Sequence, residues 1–398
     1  MAASIYERLG VPEVVNAVGY ATRVGGSRTS EAVDAAMAAA QRGYVQIDEL
    51  EAAADRIIGD ATGAEAGIAT SGAAAGLTLA AAACLAGLDT ARMDELPDVS
   101  QLSRSQIVYP SLGRFHYDHA IRASGAETVL VDYRAPDALQ RIADAIGPRT
   151  AAICYVWYRA DERPTIEQLA GLAGEHDLPL IVDGAMSLPP VANLRGFIAR
   201  GADLVTFSGG KHLGGPQASG VLAGRADLIR SAWLQMVDVD VRPSTWSLRH
   251  WVAEGWVSAP PRHGIGRSMK VGKEAVAGLL VALQEYGARD HAGELHGWRQ
   301  TVESMARALR DLPGLGAEAE SARPGGQPLP SVRLTLEDQD GAAGTAMTEL
   351  IEALGQRRPR IILSEDDTDP RCGNLYPMCL RAGEPEHIVA AIKAHLGA

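Results

Sequence analysis

The sequence predicts an α/β chain: a mostly parallel, doubly wound sheet in a large domain, then a smaller α+β C-terminal domain. Three observations carry this. Short apolar runs alternate with helical stretches from about residue 64 to residue 235, a βαβ rhythm that buries a sheet on both faces. The length of 398 residues suits a large domain plus a smaller one better than one core. Hydrophobic residues make up 46% and aromatics only 5%, and alanine and glycine abound, which favours close helix–sheet packing over an aromatic β-sandwich.

Residues 1–47 read as an N-terminal arm with one helix, capped by Thr29 or Ser30 and stopped by Gly43. A second helix starts near Asp48, and Glu51 three residues on resembles a capping box. Leu50, Ala54, Ile57, Ile58 and Ala61 give it one buried face. The large domain runs over 48–255. Its strands are expected at Gly67–Thr70, Gln106–Tyr109, Thr128–Val131, Ala151–Val156, Leu178–Val182, Leu204–Phe207 and Gly220–Leu222, with helices such as Ile166–His176 between them. Residues 238–262, with Trp246, Trp251, Trp256 and Pro260–Pro261, break the rhythm and read as a crossover toward a second domain, lining the site. The small domain, 256–398, opens with a connecting helix at Lys273–Tyr286, whose Val276, Leu279, Leu280, Leu283 and Tyr286 share a face. Strands follow at Val332–Leu336, Ile361–Leu363 and Leu375–Leu380, with a Pro/Gly-rich loop at Arg323–Pro330. No tandem repeat is present.

Charge narrows the partners. Net charge is −12 and no long Lys/Arg run occurs, so no nucleic-acid partner is expected. The opening MAASIYERLG lacks the basic and apolar regions of a signal peptide. The apolar run Gly76–Gly87 is too short to span a bilayer and reads as a buried helix. Cys84, Cys154, Cys372 and Cys379 form no CxxC pair and fit reduced thiols. A cytoplasmic protein with a small-molecule substrate, no membrane partner and no metal site is the expectation.

The chemistry-bearing residues lie at strand ends. The run ADLVTFSGGKHL takes a buried strand into Ser208-Gly209-Gly210 and then Lys211. By itself Lys211 reads as a solvated loop lysine, because lysines are usually exposed. At the carboxyl end of a buried strand, however, desolvation favours the neutral amine, which can attack an aldehyde. Asp183 ends the strand of LPLIVDGA, 28 residues earlier (211 − 183). A carboxylate there suits the pyridine nitrogen of pyridoxal 5′-phosphate (PLP), whose protonated ring is an electron sink. It is also a common turn or cap residue. Ala185 is small enough to lie under a flat ring, and Ser208 could bond the cofactor phosphate. The stretch Thr70-Ser71-Gly72-Ala73-Ala74-Ala75-Gly76 joins a strand to a helix, and its small residues leave N–H groups free for that phosphate. The chain order of phosphate turn, aspartate and lysine makes the set specific.

These residues carry a resemblance. The segments IYERLGVPEVVNAVGYATRVGGS, TSGAAAGLTLAAAACLAG, IVDGAMSLPPVANLRGF, GADLVTFSGGKHLGGPQASGVLAGR and IGRSMKVGKEAVAGLL resemble the PLP-dependent family that joins bacterial selenocysteine synthase with glucosaminate-6-phosphate ammonia-lyase, closer to the ammonia-lyase branch. The resemblance implies a fold-type I PLP enzyme and a homodimer or larger homo-oligomer. It makes Lys211 the Schiff-base lysine, Asp183 the pyridinium partner, and Gly72 and Ala73 phosphate contacts. The segment Arg114-Phe115-His116-Tyr117 departs from the family pattern; His116 is either the residue stacked on the ring or an ordinary loop histidine. The Trp-rich stretch and Glu365-Asp366-Asp367 are also individual.

The chemistry implied is α,β-elimination from a β-hydroxy, sugar-derived amino acid, giving a 2-keto acid and ammonia, with Lys211 as general base. Arg267, Lys270, Arg23 and Arg371 are candidate cations for a substrate carboxylate or phosphate. Aldol cleavage, racemisation and group transfer on an amino acid use the same apparatus. A catalytically inactive PLP-fold binding protein is the alternative of another class. A Rossmann-type dehydrogenase is disfavoured, because no G-x-G-x-x-G follows the first strand.

Overall fold

Twelve strands lie among the described residues: β1 (Val14–Ala17), β2 (Ala66–Thr70), β3 (Gln106–Pro110), β4 (Glu127–Val131), β5 (Thr150–Val156), β6 (Leu180–Asp183), β7 (Leu204–Ser208), β8 (Gly220–Gly224), β9 (Leu315–Glu320), β10 (Ser331–Leu336), β11 (Arg360–Glu365) and β12 (Cys372–Leu375). The computed structural model describes residues 4–111, 117–157, 164–323, 326–337 and 343–397. Contacts divide the chain into two units: Thr29–Arg289, and the residues up to Arg28 together with those from Asp290 onward.

The larger unit holds a seven-stranded sheet in the order β2-β8-β7-β6-β5-β3-β4. Six strands point one way and β8 alone runs antiparallel, between β2 and β7. Every residue of β2, β5, β6 and β8 is buried. That is why these strands read as continuous apolar runs rather than alternations. Helices cover both faces. On one side the helix Ala73–Ala86 is apolar all round, with Leu77, Leu79 and Ala80–Ala83 all at 1% exposure or less, and it is enclosed between the sheet and the helix Ala226–Leu234. On the other side Ile47–Thr62, Ile166–Glu175, Asn193–Ala199 and Lys273–Ala288 share a second core. Each large aliphatic side chain sealed there contributes about 1.5–3 kcal/mol.

Helix Glu31–Gln41 begins at Ser30, whose hydroxyl accepts the Val33 N–H. The next helix departs from expectation. It starts at Ile47 with Gln46 as N-cap and no side-chain cap bond, so Asp48 and Glu51 form no capping box. Glu51 is drawn inward instead, 3% exposed, and its carboxylate accepts the Ala69 N–H at 3.2 Å. One turn on, Asp55 accepts the Gly67 N–H at 2.7 Å. β2 is an edge strand, and these two acids satisfy N–H groups that the sheet leaves open. Burial, with Asp48 and Asp55 nearby, pushes the Glu51 carboxyl up to about 8.

Residues 238–262 do not cross to a second domain. Trp246 is 1% exposed and packs in the core around helix Ala73–Ala86. The connecting helix Lys273–Ala288 also belongs to the larger unit, because Val276, Leu279, Leu283 and Tyr286 fill its second core. The division therefore differs from boundaries at 47 and 255.

The smaller unit contains a five-stranded sheet, β1-β11-β12-β10-β9, antiparallel except for β1 with β11. Its core joins Leu309, Val332, Leu334, Leu350 and Ile388. β1 and β9 were not expected, and β12 ends at Leu375 rather than continuing to Leu380. Pro377 lacks the N–H a ladder needs, and the chain turns there, with Leu380 N–H bonding the Pro377 carbonyl. No helix among the described residues is long and apolar enough to cross a membrane.

Candidate active site

The six like-directed strands bring their carboxyl ends to one edge of the sheet, where ligands bind in such folds. Asp183 is the last residue of β6 and is paired with Val156 of β5 and Thr206 of β7. Its position is fixed through the backbone: Trp157 N–H bonds the Asp183 carbonyl at 3.0 Å, and Gly184 N–H bonds the Thr206 carbonyl at 3.0 Å. The side chain is 4% exposed, and one carboxylate oxygen accepts the Ala185 N–H at 3.0 Å. Burial raises its pKa; the Ala185 hydrogen bond and the Lys211 charge oppose that rise. A buried acid in this state gains most from a cationic partner against it.

Lys211 follows β7 in a tight turn. Gly209 N–H bonds the Ser219 carbonyl at 2.9 Å, Gly215 N–H the Gly209 carbonyl at 2.9 Å, and Gly214 N–H the Lys211 carbonyl at 3.0 Å. The connecting helix clamps this turn from outside. Arg289 donates to the carbonyls of His212 at 3.0 Å and Leu213 at 3.3 Å. Tyr286 shares a 3.0 Å hydrogen bond with Nδ1 of His212, and the two rings meet edge-on at 5.2 Å. Lys211 itself is half-buried.

The third element lies two strands away. β8 registers Gly220 against both Thr70 of β2 and Ser208 of β7. A single glycine thus separates the turn after β2 from the turn carrying Lys211. It has to be glycine: a Cβ there would fall 2.6 Å from the Gly72 carbonyl carbon and 2.8 Å from the Ala73 nitrogen. Gly72 has φ +140°, a region closed to most side chains, and the space above it is open. Helix Ala73–Ala86 starts there without a side-chain cap. Its first ladder bond is Gly76 N–H to the Gly72 carbonyl, so the N–H groups of Ala73, Ala74 and Ala75 have no partner among the described residues. The hydroxyls of Ser71 and Ser208, both half-buried, have none either. An uncapped helix start with open space above it and two idle hydroxyls beside it is built for an anion such as phosphate.

The structure thus brings Ser71, Gly72, Ala73, Asp183, Ala185, Ser208 and Lys211 to one sheet edge. His116 lies outside the described residues. Arg267 stands in the turn Ile265–Met269 and is paired with Asp238 at 2.8 Å, so its charge is already answered. Lys270, just after it, is exposed. Arg23 and Arg371 belong to the smaller unit, where Arg23 bonds the Leu363 carbonyl and Arg371 is held by Asp369 at 2.8 Å. Sequence reasoning missed Arg289 and the hydroxyl of Tyr286, whose signal is their spacing on the helix that follows the lysine turn.

This sheet order with one antiparallel strand, and a site at its carboxyl edge, is the architecture of the fold-type I enzymes. The chain belongs to the family described as SelA, L-seryl-tRNA selenium transferase, whose pattern matches residues 14–238. It is 32% identical over 368 residues to a Streptomyces 5′-C-glycyluridine monooxygenase-decarboxylase, covering 90% of this chain and 84% of the relative. It is 30% identical over 334 residues to the D-glucosaminate-6-phosphate ammonia lyase of Salmonella typhimurium, covering 82% and 80%. A solved D-glucosaminate-6-phosphate ammonia-lyase matches it over 100% of both chains with TM-score 0.79 and 27% identity. Family and fold indicate PLP as the cofactor.

Proposed function

We propose that this chain is a PLP-dependent lyase that eliminates the β-hydroxyl from a sugar-derived amino acid, releasing a 2-keto acid and ammonia. The observation that carries the reading is the convergence of Lys211, Asp183 and the uncapped helix start at Ala73 on one edge of one sheet. The residues fit the cofactor. The N–H groups of Ala73–Ala75 and the hydroxyls of Ser71 and Ser208 would hold its phosphate. Asp183 would hold the pyridine nitrogen, and Ala185 leaves room for the flat ring. The Lys211 amine would hold the aldehyde carbon. Bound there, PLP supplies a sink for the electron pair left when a bond to the substrate α-carbon breaks.

The protein's own part is proton management. Asp183 would hold the cofactor's pyridine nitrogen in its protonated form, a cation that offsets the cost of the buried carboxylate. Lys211 Nζ, once free, would take the α-proton and return a proton to the departing β-hydroxyl, which leaves as water; hydrolysis of the released enamine consumes one water and gives the 2-keto acid and ammonia. The turn held by Arg289 and Tyr286 would fix where that amine is presented. The acidic chain, at net charge −12, speaks for a small-molecule substrate over a tRNA.

A second reading has a specific basis. The Streptomyces relative, at 32% identity, is named for oxidative decarboxylation of a glycyl nucleoside. Glucosaminate and glycyluridine are both amino acids built on a sugar carbon chain, so substrate class is shared while the bond broken differs. One assay separates the two. The PLP-loaded protein is given sugar-derived β-hydroxy amino acids under air and under argon. Keto acid with equimolar ammonia in both atmospheres supports elimination. Carbon dioxide release that needs oxygen supports the second reading. Neither product from any substrate, with PLP mapped by borohydride to a lysine other than Lys211, overturns both.

A further inference from the structure

Tyr109, in β3, is fully buried, yet its hydroxyl has no hydrogen-bond partner among the described residues. Native proteins rarely keep such a group without a use. Its place in the sheet suggests one. Val108 registers with Ile153 of β5, and β5 runs on to Val156, the partner of Asp183. Tyr109 belongs to the same buried cluster as Cys154, Val156 and Ile181, on the side of helix Ala73–Ala86. Asp183 lies two residues beyond Ile181, on the same face of β6. Burial chiefly, then the neighbouring Cys154, Asp183 and Asp118, drive the phenol pKa upward, so the hydroxyl remains a donor. Across from it, one oxygen of Asp183 is taken by Ala185 N–H and the other has no partner among the described residues. An idle buried donor and an open acceptor therefore share one face, with β5 between their strands.

We propose that Tyr109 is a positioning residue for Asp183: once the cofactor nitrogen holds Asp183 as an anion, the Tyr109 hydroxyl donates toward that carboxylate and fixes it as the nitrogen's partner. The inference rests on the PLP reading above. It explains why the hydroxyl is unpaired in the protein alone. Burial raises the Asp183 pKa, and a cation opposite it favours the full carboxylate, the stronger acceptor.

The test is Tyr109→Phe, compared with wild type in three measurements: the melting midpoint of the PLP-free protein, the PLP dissociation constant by tryptophan quenching, and the pH midpoint of the bound-cofactor absorbance. Removing an unpaired hydroxyl should leave the PLP-free midpoint unchanged or raised. PLP should bind about tenfold more weakly, the effect of one hydrogen bond to a charged acceptor. The absorbance midpoint should move relative to wild type. A lowered PLP-free midpoint would show that the hydroxyl serves the fold itself and overturn the inference. So would an unchanged affinity and absorbance profile in a wild type that binds PLP normally. A wild type that takes up no PLP would sink the cofactor reading, and this inference with it.

Discussion

Replacing Glu51 with glutamine should make the protein more stable at neutral pH, and by an amount that depends on pH. Glu51 is 3% exposed under edge strand β2, with one oxygen on the Ala69 N–H and the other unpaired. Its carboxyl is raised from 4.5 to about 8. A raised acid binds its proton more tightly in the folded state. Its contribution to stability is whole below the unfolded value of 4.5 and is lost as pH rises toward about 8. One pKa unit corresponds to about 1.36 kcal/mol, so the loss reaches ~3 kcal/mol at pH 7 and ~5 kcal/mol above pH 8. Glutamine keeps the carbonyl that accepts from Ala69 and cannot ionise. Its amide protons stay unpaired, as the proton of the neutral acid does. Urea unfolding of both proteins at a series of pH values from 4 to 9 reads the difference directly. It should be near zero at the acid end, climb by about 1.36 kcal/mol per pH unit, and level off near 8. A difference that does not vary with pH would refute the buried-acid argument, and a destabilised variant throughout would show that the second oxygen has a partner.

Three further outcomes are expected. Gly220→Ala should lower both stability and PLP affinity, the latter at least tenfold, because its methyl group would sit 2.6 Å from the Gly72 backbone; equilibrium dialysis against PLP checks it. Arg289→Ala frees the carbonyls of His212 and Leu213, and should slow borohydride-trappable attachment of PLP to Lys211 about tenfold while changing PLP phosphate affinity little; equal trapping rates would remove the clamp from the account. Asp183→Asn leaves the ring nitrogen without an anion and should reduce turnover by at least a hundredfold with the cofactor still bound, measured as keto-acid release.

How legible all this was depends on how local each signal is. The lysine turn could be read because a buried strand, two glycines and the lysine stand within one short run, from Asp203 to Lys211. Asp183 was readable for the same reason, as the polar end of an apolar strand. Glu51 was misread because Asp-x-x-Glu spacing before an apolar stripe looks alike whether the glutamate turns back to cap or inward to an edge strand. Tyr109 and Tyr286 were visible only as core aromatics; their hydroxyls matter through strands and turns far away in sequence. Arg267 looked free because its partner Asp238 is 29 residues away. β1 and β9 were missed because four residues, or six with glycine and two glutamates, carry too little apolar pattern to stand out.

The reversed strand β8 also has a meaning in time. Among the described residues β2 has no strand but β8 to pair with, and β8 begins about 150 residues later in the chain. At roughly 5–20 residues per second, a ribosome takes on the order of 8–30 s to supply it. Throughout that interval the edge of the growing sheet is unfinished and the two halves of the cofactor cup are not yet neighbours. Gly220 closes both at once. Capture of the cofactor by the nascent chain would therefore act as a clock, marking the moment at which the large unit has received its last strand.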